Sequence, residues 1–459
     1  MALRHTIVFA WLLALFLALI VRNVSSEPYV YDEADYMYAA SLGFAANWSD
    51  TPSIPMAGFV RAGLHRGGHD RKALSERIRG GNDVLFYRHF HGPLFQYLLI
   101  PVSRLGLKER AVRTAMLVVP CGSLAVIYFG CLWLLPGATG SLTALSAAVL
   151  FLSSHAVVWS TELAPHQLFA LCSLASLILL LKAVTTGHLR YWYGAVAASA
   201  LAFCTLEIAL VLIFTLAICC FVERRRWQAD RGFVAKSLAL FVGMVLAIWP
   251  AAIFRLSFLK AYADMVYVAL YRDAAWGKVG FLETWRDRVL SSPLEWLLIL
   301  LGLLAWLATR KATVYPIATF AALTLGATFP VFTLTPRYSL AFLPALDLLA
   351  GLTLVPSLGP LRRPASFAVV ALAVAGLYGY AWYQVVHHPH NPNPRSAAVL
   401  TFIYQNELEN KAVLAPQSDV PTLHYYFPGL RLHGYFGPEP APSERMGLAA
   451  NAVIPAAKP

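Results

Sequence analysis

The sequence predicts an α-helical protein that crosses a membrane many times, and three observations carry that expectation. Charged residues make up 13% of the 459 residues, about half the share of an average soluble protein. Apolar residues reach 58% and the mean hydropathy is +0.60. Apolar runs near the ~20 residues that cross a bilayer recur along the chain, with Lys and Arg at their ends. A soluble domain with so few charges would aggregate, and the wealth of aromatics and aliphatics excludes disorder.

The remaining bulk properties agree. Lys and Arg number 36 against 24 Asp and Glu, a net charge of +12. Membrane proteins collect such an excess on cytoplasmic loops, and no basic–aromatic module accompanies it, so nucleic-acid binding is excluded. Cys121, Cys131, Cys172, Cys204, Cys219 and Cys220 all lie in apolar runs. Neither a disulfide framework nor a zinc site is expected of cysteines so placed.

The first run, His5 to Val21, stands between Arg4 and Arg22. No small-x-small cleavage site follows, so it reads as an uncleaved first helix with its N-terminus inside. A polar stretch from Asn23 to about Arg110 comes next. Within it Pro93 to Leu105 is apolar for only about 13 residues, too short to cross, and is expected as a surface or re-entrant helix. Further runs begin near Val112, Ser141, Gln167, Tyr191, Glu207, Phe233, Pro293, Thr313, Tyr338 and Ser366. The stretch from Tyr191 to Val222 is too long for one span and breaks at Thr205-Leu206-Glu207. The expectation is about 11 transmembrane helices with the C-terminus outside. The predicted inner loops then hold Lys182, Arg190, Arg224-Arg225-Arg226, Arg310-Lys311 and Arg362-Arg363, as the positive-inside rule requires. An alternative in which Pro93–Leu105 spans and Tyr191–Val222 is one helix satisfies the same rule.

The predicted organisation is a transmembrane module over residues 1–386 and a small outer region over 387–459. Two large outer loops, 23–110 and 255–292, interrupt the module. After the stiff His387-His388-Pro389-His390-Asn391-Pro392 exit, Ser396 to Leu408 has helical spacing at Val399, Phe402, Ile403 and Leu408. Strand-like runs follow at Ala412–Ala415 and Thr422–Phe427, giving an α/β appendage. Pro438 to Pro459 is Pro/Ala-rich and expected to be poorly ordered. No internal repeat is evident, against an inverted-repeat transporter.

Four polar clusters are candidates for chemistry. The densest is Tyr31-Asp32-Glu33-Ala34-Asp35-Tyr36. As a helix start, Asp32 would cap a helix running to about Asn47. As a site, a carboxylate at headgroup depth takes a proton from a hydroxyl. The second, Arg88-His89-Phe90-His91-Gly92-Pro93, is either a Gly-Pro turn or a place where Arg88 and His91 bind lipid phosphate. The third is Trp159-Ser160-Thr161-Glu162-Leu163-Ala164-Pro165-His166. Glu162 is a costly charge in an outer turn of few charges, and Glu207 draws the same suspicion. The fourth is Thr335-Pro336-Arg337-Tyr338. Arg337 is the lone cation of the short outer turns, either snorkelling or clamping an anion with its fork of donors. Arg255, Lys260, Arg272, Lys278, Arg286 and Arg288 give the middle loop more outward cations. His387, His388 and His390 between prolines read as solvated rather than metal-binding. No P-loop, dinucleotide fingerprint, HExxH or GxSxG motif occurs.

The order of these clusters resembles the polyprenyl-phosphate-sugar-dependent glycosyltransferases of the GT-C fold, in the branch of protein O-mannosyltransferases and lipid A aminoarabinose transferases. That family carries an Asp-Glu pair in its first outer loop, matched by Asp32-Glu33. Its Pro-Pro-Leu-Tyr-Tyr type segment is matched by Gly92-Pro93-Leu94-Phe95-Gln96-Tyr97, with Gly92 replacing the first proline. Glu162-Leu163-Ala164 partly matches a Glu-Ala-Arg-like stretch whose arginine is missing here, which weakens any role there. Pro336-Arg337-Tyr338 matches a late Pro-Arg-Tyr motif. The resemblance covers about Met1 to Leu352.

The resemblance implies a GT-C-type helical bundle and transfer of a sugar from a polyprenyl-phosphate donor to an acceptor hydroxyl, with inversion. It implies Asp32 as general base with Glu33 assisting. Arg337 would stabilise the departing phosphate, with Arg88 or His91 next, and Glu162 and Tyr338 would be further substrate-binding residues. No nucleotide cofactor is implied, since the sugar arrives activated, and a divalent metal is compatible with the fold without being indicated. Two rivals stay open. A secondary transporter or flippase would use Glu207 and Asp347 inside the membrane. A polysaccharide polymerase or ligase would share the lipid-linked donor. The acceptor (protein, lipid or glycan) leaves no mark in the sequence. A bacterial inner membrane is the expected location, with the endoplasmic reticulum as the alternative.

Overall fold

The structure is a computed structural model describing residues 2–30, 32–44, 91–159, 161–254, 281–309, 312–328, 336–357, 363–387, 395–416, 419–435 and 452–454. The chain divides into two compact units. One comprises Met1–Val24, Thr114–Ile248 and Val279–His390, and the other Ser25–Arg113, Trp249–Lys278 and Asn391–Pro459.

The first unit is a helical bundle. Every apolar run named above holds a helix, among them Ala2–Ile20, Val118–Leu134, Gly137–Ser153, Pro165–Thr186, Arg231–Ile248 and Leu343–Ser357. The break at Thr205-Leu206-Glu207 is present as well. Leu189–Phe203 ends there, a 3₁₀ turn occupies Glu207–Ala209, and Leu210–Glu223 resumes. Among the described residues four helices are long and apolar enough to cross a membrane, or five if Trp285–Ser291 and Pro293–Thr309, bent by 99°, form one span. Trp11 is 68% exposed, Val118 68% and Phe221 66%, an outward apolar surface that suits lipid rather than water.

Local chemistry explains the helix ends and packing. Pro165 opens Pro165–Thr186 at a position where its missing N–H costs nothing. Gly187 closes it at φ 75°, its N–H bonding Ala183 O at 2.8 Å. The Arg226 guanidinium donates to the last carbonyls, Val184 O and Thr185 O, a cation where the helix dipole favours one. Between helices the glue is polar. Ser176 Oγ bonds Ser199 Oγ at 2.9 Å, and Thr353 Oγ1 donates to Gly302 O at 2.9 Å.

The second unit holds the short helices Asp32–Ser41 and Leu94–Arg104, the start of Glu109–Met116, and the C-terminal elements. Leu94–Arg104 has 11 residues, about 17 Å of helix at 1.5 Å per residue, too short to cross. A parallel sheet of Ala412–Pro416 (β1), Arg431–Tyr435 (β2) and Ala452–Val453 (β3) has the order β2-β1-β3, with Val413 paired to Leu432 on one side and Ala452 on the other.

Two expectations for the tail are corrected. Thr422–Phe427 is not a strand but lies largely in the helix Val420–Tyr426. The buried set Val420, Leu423 and Phe427 recurs at helical spacing, and that periodicity overrides the β propensity of its aromatics. The far C-terminus is not wholly irregular either. Residues 452–453 pair with β1, and Ile454, 3% exposed, donates its N–H to Leu414 O.

Candidate functional site

The acidic cluster sits on the first turn of Asp32–Ser41, where the helix dipole favours carboxylates. Glu33 N–H bonds Val30 O at 2.9 Å, and Val30 N–H donates to Glu33 Oε2 at 3.5 Å, the side-chain-to-backbone half of a capping box. Successive helical residues point about 100° apart, so the three acids part company. Glu33 and Asp35 are buried, at 2% and 3% exposure, while Asp32 is half-buried.

Glu33 is committed to an ion pair. Its Oε1 accepts from Arg113 Nε at 3.1 Å and its Oε2 from Nη2 at 2.6 Å. The same guanidinium donates to Ser25 O (3.1 Å), Glu27 O (2.7 Å) and Pro28 O (3.3 Å) and lies 5.1 Å from the Tyr29 ring centroid. One arginine thus gathers the 25–33 segment and fixes the start of the helix that bears Asp32. Arg113 escaped the sequence reading. Its one signal was an arginine one residue into an apolar run.

His91, half-buried, packs its ring 6.0 Å from that of Tyr36, which also meets Phe95 edge-on at 5.4 Å. Tyr36 lies one helical turn beyond Asp32, so the second unit places His91 and Asp32 on neighbouring elements. Arg88 lies outside the described residues, as do Arg255, Lys260, Arg272, Lys278, His388 and His390.

In the first unit, Glu162, Arg337 and Tyr338 come together. Arg337 Nη1 is 3.7 Å from Glu162 Oε2, with side-chain exposures of 16% and 33%. Its guanidinium carbon is 5.7 Å from the Tyr338 ring centroid, and the Tyr338 ring meets His166 edge-on at 4.9 Å. The turn carrying Glu162 is tied to the end of the first helix. Thr161 Oγ1 donates to Asn23 O at 2.9 Å, and Asn23 Nδ2 to Val158 O at 3.1 Å. Arg337 therefore already has a carboxylate neighbour.

Of the two carboxyls that a transporter would use, Glu207 is 4% exposed and Asp347 0%, the latter beside the equally buried Glu295. No group of three or more His, Cys, Asp or Glu side chains is arranged to hold a metal among the described residues.

Comparisons with known proteins bear on this arrangement. Residues 90–249 match the family model described as dolichyl-phosphate-mannose-protein mannosyltransferase. That segment contains His91 and Glu162 but neither Asp32-Glu33 nor Arg337-Tyr338. A comparison with curated proteins gives no match. Among solved structures, ArnT from Cupriavidus metallidurans in the apo state is 16% identical with a TM-score of 0.58, over 94% of this chain and 86% of that one. The same ArnT bound to undecaprenyl phosphate gives 15% and 0.58 over the same shares. The Archaeoglobus fulgidus oligosaccharyltransferase, in complex with Zn and sulfate, is 13% identical with a TM-score of 0.59, over 93% of this chain and 62% of that one. The resemblance drawn from the sequence thus stands, and the chain has the GT-C fold of these glycosyltransferases, with the sequence pattern of the mannosyltransferase family over residues 90–249.

Proposed function

We propose that the protein is an integral-membrane glycosyltransferase that moves a sugar from a polyprenyl-phosphate donor to an acceptor hydroxyl on the outer face of the membrane, probed most directly through Asp32. The observation that carries the reading is the GT-C fold shared over 94% of the chain with an ArnT that binds undecaprenyl phosphate. Asp32 is the general base. An acceptor hydroxyl hardly ionises at neutral pH, and a carboxylate aimed at its proton lowers the barrier by the ~10²–10⁴-fold typical of such catalysis. Glu33, locked to Arg113, is assigned to orientation rather than proton transfer. Attack by the activated oxygen opposite the leaving phosphate inverts the anomeric carbon. The phosphate gains charge as the bond breaks, and Arg337 is the cation assigned to it, with Arg88 and the His91 ring N–H as further donors. Glu162 holds the Arg337 guanidinium until the donor phosphate takes its place, and Tyr338 packs beside it. The N-terminus lies on the cytoplasmic side, and a bacterial inner membrane is the proposed location.

The test offers purified protein a panel of polyprenyl-phosphate sugars with membrane extract as acceptor, wild type beside Asp32→Asn. Sugar transfer by wild type, lost in a folded Asp32→Asn variant, is expected. Equal turnover by both would remove Asp32 as the base. Passage of a lipid-linked sugar across sealed vesicles with no glycosidic bond formed would favour a flippase instead.

A further inference from the structure

The C-terminal helix Val420–Tyr426 grips the chain just ahead of Asp32. Tyr29 N–H donates to Tyr426 Oη at 2.9 Å, and Tyr29 O accepts from Thr422 Oγ1 at 3.1 Å. Both polar groups of one peptide residue are thereby held by two side chains of one short helix. The Tyr29 ring, 2% exposed, stacks at 6.4 Å on Tyr426 and meets Tyr425 edge-on at 5.4 Å. Tyr426 Oη in turn donates to Glu109 Oε1 at 2.8 Å. Glu109 begins the helix on which Arg113 follows one turn later, and Arg113 binds Glu33. Beyond Asp32, Tyr38 meets His424 of the same C-terminal helix edge-on at 4.4 Å. Asp32 thus stands between two points, three residues before it and six after it, that are both fastened to Val420–Tyr426.

We propose that the C-terminal helix is a positioning element of the active site, in which Tyr426 and Thr422 set the placement of Asp32 by clamping the backbone of Tyr29. The inference rests on Asp32 being the base. It gives the tail a part in turnover that neither its sequence nor its small fold announces. The physical ground is that proton transfer needs hydrogen-bond reach, and a displacement of about 1 Å from a remote change costs up to ~10²-fold in rate. Asp32 follows the clamped residue by only three positions in the sequence.

The test uses the full chain in detergent and compares wild type, Tyr426→Phe, Thr422→Val and Asp32→Asn. Tyr426→Phe keeps the ring that stacks on Tyr29 and removes only the hydroxyl. Three quantities are read: kcat and donor KM per folded molecule, the thermal midpoint, and hydrogen exchange of amides 29–38. The expected result is a kcat lowered ~10–100-fold in Tyr426→Phe, a donor KM within about twofold of wild type, faster exchange at 29–38 and a nearly unchanged midpoint. Thr422→Val should behave the same way, more weakly. A kcat within about twofold of wild type, unaltered exchange at 29–38, or a loss of activity matched by a loss of folded protein would each overturn the proposal. Exchange decides the matter even where no donor in the panel turns over. Turnover retained by Asp32→Asn would instead strike at the base assignment, so the two failures are told apart.

Discussion

Glu33 and Arg113, 80 residues apart in sequence, form a two-point ion pair with each side chain only 3% exposed. Breaking such a pair from one side leaves a charge buried without its partner, at a cost of about 3–5 kcal/mol. Arg113→Met should therefore destabilise the protein by that order and lower its yield of folded material. The double variant Glu33→Leu/Arg113→Met should recover much of the loss, although the carbonyls of Ser25, Glu27 and Pro28 still lose their donor. Thermal unfolding of the four proteins of this cycle measures it. Equal destabilisation by the double and single variants would show that the backbone carbonyls, not Glu33, are what Arg113 is there for.

The Glu162–Arg337 spacing of 3.7 Å makes a prediction with opposite signs at its two ends. If Arg337 holds the donor phosphate and steadies the charge it gains, Arg337→Ala should raise donor KM and lower kcat, cutting kcat/KM by about tenfold or more for the loss of one half-buried charge-assisted contact. Glu162→Gln removes a carboxylate that competes for the same guanidinium, so donor KM should fall or hold steady. Were Glu162 instead an acceptor-binding group, Glu162→Gln would leave donor KM alone and raise acceptor KM. Steady-state kinetics with each substrate varied separates these outcomes.

Much of the bundle was legible in the sequence because apolar runs and helix breakers act locally. The runs from His5 to Ser366 all hold helices, and even the turn at Thr205-Leu206-Glu207 falls where the excess length placed it. Thr422–Phe427 was misread because its threonine and aromatics favour strands, and only burial of Val420, Leu423 and Phe427 against the sheet selects a helix. The site was legible only as residue types. Asp32-Glu33 stood out, but nothing local tells which acid is committed to a cation, since Arg113 lies far along the chain. The grouping of Tyr29 with Thr422 and Tyr426, 393 and 397 residues away, has no local signature at all.

The tyrosine cluster predicts an alkaline limit. Burial holds the Tyr29 phenol well above its ordinary pKa of 10.0, and the neighbouring Tyr425 and Glu109 add to the effect. Burial raises Tyr426 likewise. Its bond from Tyr29 N–H works the other way, and its bond to Glu109 adds to the rise. Folding thus favours the protonated phenols, and this stability is fully present below the unfolded pKa of about 10. It is lost as pH climbs from there through the higher folded-state values. The thermal midpoint should be flat from about pH 7 to 9 and fall steeply above about 10, less steeply in Tyr426→Phe. Identical alkaline slopes in the two proteins would show that this cluster does not govern the transition.

Gly351 predicts how tightly two helices of the bundle are bound to each other. A Cβ there would lie 2.7 Å from Ala147 Cβ and 3.2 Å from Ala147 Cα, so Leu343–Ser357 and Gly137–Ser153 approach through a contact only a glycine permits. Gly351→Val must push the helices apart, and overpacking of this kind costs about 1–3 kcal/mol. Gly351→Ala should cost less, and Ala147→Gly should offset part of it by vacating the opposing position. Gly379, with nothing within 4 Å of its would-be Cβ, is the control. Gly379→Ala should be neutral or slightly stabilising, since alanine is the better helix former. Thermal midpoints in detergent give all four values. A Gly351→Ala midpoint no lower than that of Gly379→Ala would mean that the two helices yield at this contact, and that their spacing is set by other side chains along the pair.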